Sequence, residues 1–314
     1  MARNIAILVQ NETQASSGLL QAFAQEGNSV SCIVCNELLP VALQMAKPDF
    51  AVVASGQAWG EPGAAQQLLD AMGIPYLGAD AATIEGCRDA AQLASIVKEA
   101  VSQGSIDTEA LPQLVLGTTA LDALAQTGQL SQVHTRFSQG EPLIVRANGA
   151  AFLTAGTVVH DQKEFAEATA AIKSRGSQAV VRPSVQGVEV IVAIMGDLSD
   201  ILMLPPIEVS GALDDVAGWH VPMRASALAD DEQDAQAIRS EIERVALDTF
   251  LACGCRDFAC VRIVWDGGCA RILDVDAAPD LAEGGPIMAA LKAADINLAE
   301  LANELCEIAD ERLL

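Results

Sequence analysis

Residues 60–80 read GEPGAAQQLLDAMGIPYLGAD. Gly60 to Gly63 make a glycine turn, and Gly63–Met72 has the spacing of an amphipathic helix with Leu68, Leu69 and Met72 facing inward. Gly73 ends that helix, because glycine takes the left-handed conformation a helix end often needs, and Pro75–Leu77 reads as a short strand before Gly78. The preceding residues keep the same rhythm. Ile5–Val9, Val30–Cys35 and Phe50–Ala54 have strand character, while Ser17–Gln25 and Leu38–Met45 have helix character. Strands alternating with helices at this spacing predict a parallel sheet with covering helices.

Beyond Asp89 the pattern changes. Helix Ala90–Val101 leads to strands near Gln113–Leu116, at Leu143–Arg146 and at Thr157–Val159, then helix Glu164–Ser174 and strand Ala179–Arg182. Strands Val188–Met195 and Ile201–Leu204 follow, then a loop rich in Gly and Asp and a helix from Glu232 to Ala252. Strands Phe258–Val264 and Ala270–Val275 flank the turn Asp266-Gly267-Gly268, and helix Leu298–Ala309 closes the chain. The acidic run Asp230–Asp234 suits the positive end of the helix that follows it. The expected units are 1–88, 89–180 and 181–314.

The chain has 314 residues, 51% of them hydrophobic, which is enough for extensive cores. Eighteen Lys+Arg stand against 42 Asp+Glu, a net charge of -24. So acidic a surface excludes nucleic acid as a partner, since that binding needs cations that displace phosphate counterions. It also disfavours anionic membranes. No stretch approaches the roughly 20 apolar residues of a membrane span, and Ile5–Val9 is too short for the apolar region of a signal peptide. The expected location is cytoplasmic. The eight cysteines are expected to be buried thiols, and Cys32 and Cys35 lie in a strand-like run that suits neither a redox motif nor a zinc knuckle. His134, His160 and His220 are scattered without catalytic spacing.

The opening stretch resembles the first-lobe signature of the D-alanine–D-alanine ligase family, where GEDG precedes x-x-Q-x-L-L-x-x-x-G-I-P-Y-x-G. VVRPSVQGVEVIVAIMG (180–196) with LPPIE (204–208) resembles the family strand pair V-E-x-x-I-x-G-R-E-x-T-V-x-x-L-G. GCRDFACVRIVW (254–265) and RILDVDAAPD (271–280) resemble G-C-x-G-x-A-R-V-D-F and L-E-V-N-x-x-P-G, and PLIVRA (142–147) resembles P-V-V-K-P. The resemblance spans the chain. It implies an α/β, three-lobe ATP-grasp architecture, with a parallel sheet in the N-terminal lobe and mixed or antiparallel sheets in the other two. It also implies ATP between the second and third lobes, two magnesium ions on its phosphates, ligation through an acyl-phosphate in peptidoglycan precursor synthesis, and a homodimer formed through the first lobe, for which Gly63–Met72 is a candidate.

Matched residue by residue, the chain departs from that chemistry. The metal-binding Asp falls on Arg262, the Glu on Asp274 and the Asn on Asp276, so Asp274 and Asp276 are the remaining metal candidates. A guanidinium cannot ligate magnesium, which takes hard oxygen donors. Arg262 is expected to pair with Asp274 or Asp276 instead. The oxyanion-stabilising Arg falls on Cys260, a weak donor. Arg146 replaces the nucleotide-binding lysine, Glu189 matches its family glutamate, and Arg182 occupies the hinge glutamate. Arg146 and Glu189 are therefore the candidate nucleotide contacts. Asn148–Thr154, with Phe152 and Leu153, replaces the glycine-serine loop that closes over phosphates. The first-lobe lysine falls on Ala90, with Arg88 as a neighbouring substitute.

The amino-acid subsites depart as well. Glu12 alone remains of an N-terminal glycine-serine-glutamate segment, and Ser55-Gly56 replaces H-G. Trp219 and His220 stand where a Tyr-Lys lid is absent, and Asp280 replaces a glycine. The leading expectation is a degenerate relative that has lost ligation and binds a small ligand or a partner protein. The alternatives are an active ATP-dependent carboxylate–amine ligase with rearranged site residues, favoured by Arg146, Asp274 and Asp276, and unrelated thiol chemistry at Cys255 or Cys260.

Overall fold

The computed structural model describes residues 2–10, 17–25, 27–54, 61–127, 133, 137, 142–152, 154, 156–196, 200–209, 220–223, 228–229, 231–281 and 284–313. The first sheet is parallel, with β1 (Asn4–Val9), β2 (Ser29–Val34), β3 (Phe50–Val53) and β4 (Tyr76–Leu77) in the order β2-β1-β3-β4. Helices α1 (Ser17–Gln25), α2 (Leu39–Ala46) and α3 (Ala64–Met72) connect its strands. Gly63 and Gly73 bracket α3 in the left-handed region, at φ 79° and 66°. A Cβ at Gly63 would lie 2.8 Å from Ala81, so the turn requires glycine for space as well. Leu69 of α3 is buried as expected, while Leu68 and Met72 pack at the edge of the same core.

Two helices follow, the first unread in the sequence and the second close to the helix expected at Ala90–Val101. Helix α4 (Ala81–Arg88) is capped by Asp80, whose side chain accepts from the Thr83 N–H at 2.8 Å. Helix α5 (Ala90–Ser102) begins at Asp89, which accepts from the N–H groups of Ala91 and Gln92.

The second sheet is antiparallel, with β5 (Leu114–Leu116), β6 (Leu143–Ala147), β7 (Thr157–Val159) and β8 (Ala179–Pro183) in the order β5-β8-β6-β7. Helices α6 (Thr118–Thr127) and α7 (Gln162–Ser174) cover one face, where Leu121 and Phe165 meet Leu143, Val145, Ala179 and Val181. Alternation then turns Ile144, Arg146, Val180 and Arg182 to the other face.

The third sheet has six antiparallel strands. These are β9 (Val188–Gly196), β10 (Ile201–Met203), β11 (Ile207–Val209), β12 (His220–Pro222), β13 (Asp257–Trp265) and β14 (Ala270–Asp276). The two strands around Asp266-Gly267-Gly268 pair as expected, and Asp266 Oδ1 accepts the Gly268 and Cys269 N–H groups, each at 3.0 Å. β11 and β12 fall where only a loop was expected. Both strands are three residues long, too short for periodicity to reveal.

β9 and β13 read as nearly continuous apolar runs because both faces are covered. Val190, Val192, Val261 and Ile263 pack beneath α4, α5 and α8 (Glu232–Ala252). Ile191, Ala193, Phe258 and Cys260 pack against the first lobe and against α9 (Pro286–Ala293) and α10 (Leu298–Leu313). Asp231 caps α8, as the acidic run suggested, while Asp230 lies outside the described residues. Among the described residues, no helix is long and apolar enough to cross a membrane.

The first and third lobes are locked together at Gly78. Its N–H donates to Asp257 Oδ2 at 2.6 Å, and its carbonyl accepts from Arg256 Nε at 2.8 Å. The Arg256 guanidinium also lies 5.4 Å from the centroid of the Tyr76 ring. Asp257 is fully buried at φ 64°, a conformation that aspartate tolerates better than most residues. Asp257→Ala is expected to lower stability by about 2–3 kcal/mol, because it strands a buried N–H and retains the strained φ. Asp257→Asn, which keeps an acceptor and tolerates this φ, should lose less. Urea unfolding of both variants checks this, and an alanine variant as stable as the parent would remove Asp257 from the junction.

Candidate functional site

The candidate residues lie where the outward face of the second sheet meets the third, joined by the Arg146–Asp274 pair. Register decides which side chains meet there. On β13, Arg262 stands opposite Asp274 and Ile191, and Cys260 stands opposite Asp276 and Ala193. A bulge between Arg262 and Ile263 sets Ile263 opposite Ile272, which leaves Leu273 as the extra residue. Asp274 and Asp276 therefore share a face with Arg262 and Cys260, and Glu189 joins them from β9. From the other side come Arg146 on β6 and Arg182 on β8.

The pairing differs from the sequence expectation. Arg262 does not bond Asp274 or Asp276. Its Nε and terminal nitrogen contact Glu189 Oε2 at 3.1 and 2.5 Å, and its other nitrogen reaches the Phe152 carbonyl at 3.4 Å. The physical reason is a competitor from the second sheet, since Asp274 is taken by an ion pair with Arg146. Arg182 lies 4.0 Å from the second oxygen of Glu189. The result is two bridges between sheets, Arg146–Asp274 and Arg182–Glu189–Arg262. Arg262 is only 2% exposed and the Arg146 side chain 9%, so these charges are largely removed from water and depend on each other. Burial lowers the Arg182 pKa below the usual arginine value, against the pull of Glu189 and Asp274. Its pairing with Glu189 went unforeseen, although the alternation of Val181 and Arg182 on β8 carried the signal.

The segment after β6 lies over this arrangement. The Asn148 amide donates to Asp89 Oδ2 at 2.7 Å, and Asn148 Oδ1 accepts the Ala90 N–H at 3.0 Å. Arg88 Nε donates to the Gly149 carbonyl at 2.8 Å. Phe152 packs against the core cluster on that side of the third sheet. An aromatic side chain thus fills space beside a backbone that a phosphate-binding loop would leave open. Leu153 lies outside the described residues, as do Glu12, Ser55, Gly56, Gly60, His134 and Trp219.

Asp276 is a carboxyl of this group whose pKa is raised. Burial pushes its pKa up to about 6, with Asp280 and Asp274 adding to the rise, while the Ala278 N–H and Arg88 act against it. Cys260, across the ladder, is raised well above the usual thiol value by burial and by Asp276. A buried thiol of this kind is not a nucleophile.

Magnesium does not fit this donor set. Arg262 occupies one family ligand position, and Arg146 neutralises Asp274. Among the described residues, no group of three or more His, Cys, Asp or Glu side chains is arranged to hold a metal. Phosphate would have to displace the carboxylates that Arg146 and Arg262 already bind.

No family model matches the chain. It is 27% identical over 242 residues to the D-alanine–D-alanine ligase of Xanthomonas axonopodis pv. citri, covering 74% of this chain and 68% of that protein. It is 26% identical over 325 residues to the D-alanine–D-alanine ligase of Desulforudis audaxviator, covering 99% and 100%. The crystal structure of the Bacillus anthracis D-alanine–D-alanine ligase complexed with ATP superposes with a TM-score of 0.72 at 19% identity, covering 99% of this chain and 98% of that one. The chain is thus similar end to end to D-alanine–D-alanine ligases in sequence, and it shares the fold of their solved structures.

Proposed function

We propose that the chain is a D-alanine–D-alanine ligase relative that no longer ligates and serves in binding or regulation. The observation that carries this reading is the self-neutralised cleft. Arg262 and Arg146, at positions matched to a metal ligand and a nucleotide-binding lysine, are bound to Glu189 and Asp274 of the same chain. Phosphoryl transfer depends on cations aimed at phosphate oxygens and on metal ions that bridge them. Here the cations face inward, to carboxylates. Occupancy by ATP requires breaking both bridges, and the two-magnesium arrangement has no donor set. The cleft framework then remains for a ligand or partner that leaves the bridges in place.

Purified protein incubated with ATP, magnesium and D-alanine is expected to release phosphate at the rate of a no-enzyme control. Loss of one oxyanion donor alone typically removes about 3–4 kcal/mol of transition-state stabilisation, or a factor of about 10² to 10³. Calorimetric titration with ATP and magnesium should show no saturable heat. Phosphate release that depends on D-alanine would overturn the proposal in favour of an active ligase with rearranged residues.

A further inference from the structure

The second sheet brings two arginines to one face. Register sets Arg146 opposite Val180 and Ile144 opposite Arg182, so the two arginines are diagonal neighbours on β6 and β8. Diagonal positions of this kind lie about 7–8 Å apart, close enough for two long side chains to hold one small molecule. Both side chains are deeply buried, with 9% exposure at Arg146 and 10% at Arg182.

Neither guanidinium is fully satisfied. Arg146 gives a terminal nitrogen to Asp274, but its Nε is buried and has no hydrogen-bond partner. A buried donor left unpaired is costly, and native structures keep few of them. Arg182 has an ion pair with Glu189 Oε1 at 4.0 Å, beyond hydrogen-bond length. Glu189 and Asp274 attract Arg182, while Arg262 and Arg146 repel it. Three guanidinium groups therefore share two carboxylates, and both acids are already engaged by Arg262 and Arg146.

We propose that Arg146 and Arg182 form a seat for the carboxylate of a small ligand, one oxygen accepting from Arg146 Nε and the other from the Arg182 guanidinium. The seat rests on the reading that both bridges stay in place, and it gives the ligand a chemical class. One negative charge balances the excess guanidinium. A nucleotide or a phosphate dianion would instead set further negative charge beside Glu189 and Asp274. Shape points the same way, since a planar carboxylate offers two oxygens to guanidinium N–H donors. Burial strengthens both bonds, because little water competes for the donors.

The seat also differs from the ligase pattern. The hinge position there is a glutamate, and Arg182 reverses its charge. The position of the oxyanion-stabilising arginine falls on Cys260, in a different sheet from either arginine of the seat. The rest of the ligand should carry no positive charge, because an ammonium group would meet three guanidinium groups. Propionate should therefore bind, and D-alanine, the same skeleton with an ammonium group, should not compete with it.

Calorimetric titration of the intact protein with sodium propionate, at constant ionic strength and without ATP or magnesium, tests the seat. Saturable binding with a Kd of about 1 mM is expected, within the ceiling for so small a ligand. D-alanine and inorganic phosphate should bind at least about tenfold more weakly. Arg182→Gln should weaken propionate at least about tenfold, the scale of one hydrogen bond to a charged group. Arg182→Lys keeps the charge without the planar fork and should weaken it about threefold, which decides the site if the glutamine variant does not fold. An absence of saturable heat in the parent overturns the seat. So does D-alanine or phosphate binding as tightly as propionate, or an unchanged propionate affinity in either folded variant. D-alanine-dependent phosphate release with ATP would be a different failure, since it overturns the loss of ligation itself.

Discussion

Arg262→Asp is expected to lower the stability of the protein by about 3–5 kcal/mol, although it restores the residue that the ligase motif carries at this position. The variant removes the cation that holds Glu189 and places a carboxylate opposite Asp274 and near Asp276. Glu189 keeps only Arg182, at 4.0 Å, and its side chain is 26% exposed, so water recovers part of the loss. Arg262→Met separates the two contributions. It removes the charge without adding one and should lose about 3 kcal/mol, the lower end of such changes.

Magnesium then discriminates further. Added to Arg262→Asp, it should raise the melting temperature by several degrees, because a cation that binds only the folded state stabilises it by mass action. The parent and Arg262→Met should not respond. A variant that melts with the parent, or a parent that responds to magnesium, would refute the bridged cleft.

The architecture was legible because it rests on long patterns. The turn, helix, turn and strand of residues 61–80 appear as read, and the apolar runs of β9 and β13 are long enough to announce buried strands. Helix α4 went unread because its eight residues, AATIEGCR, contain a glycine and no clear apolar stripe, so the cap at Asp80 was the only local signal. The site was legible in its parts and not in its pairing. Register on one hairpin places Arg262 opposite Asp274, and that much follows from sequence. Which acid the guanidinium holds depends on Arg146, which comes from a different sheet and lies 128 positions from Asp274 in sequence. No local reading of β13 and β14 contains that information.

Asp276→Asn is expected to make the protein more stable than the parent at pH 7.5 by about 2–3 kcal/mol, and no more stable at pH 4. The folded protein holds the Asp276 proton up to about pH 6, whereas an unfolded aspartate releases it near ~3.9. Between those values the native state binds more protons than the unfolded chain, so stability falls as pH rises through this window. The contribution of protonated Asp276 is complete below about pH 4 and gone above the folded-state value of about 6. The groups facing Asp276 set the sign. Burial, Asp280 and Asp274 oppose its ionisation, and Arg88 and the Ala278 N–H are too weak to reverse them. Asparagine keeps an oxygen for the Ala278 N–H and carries no charge to bury. Its advantage should therefore open only as the parent ionises. Urea unfolding of both proteins at pH 4, 5, 6 and 7.5 measures the gap. Curves that stay parallel across that range would mean that Asp276 titrates like an ordinary surface carboxyl and that Arg88 fully neutralises it.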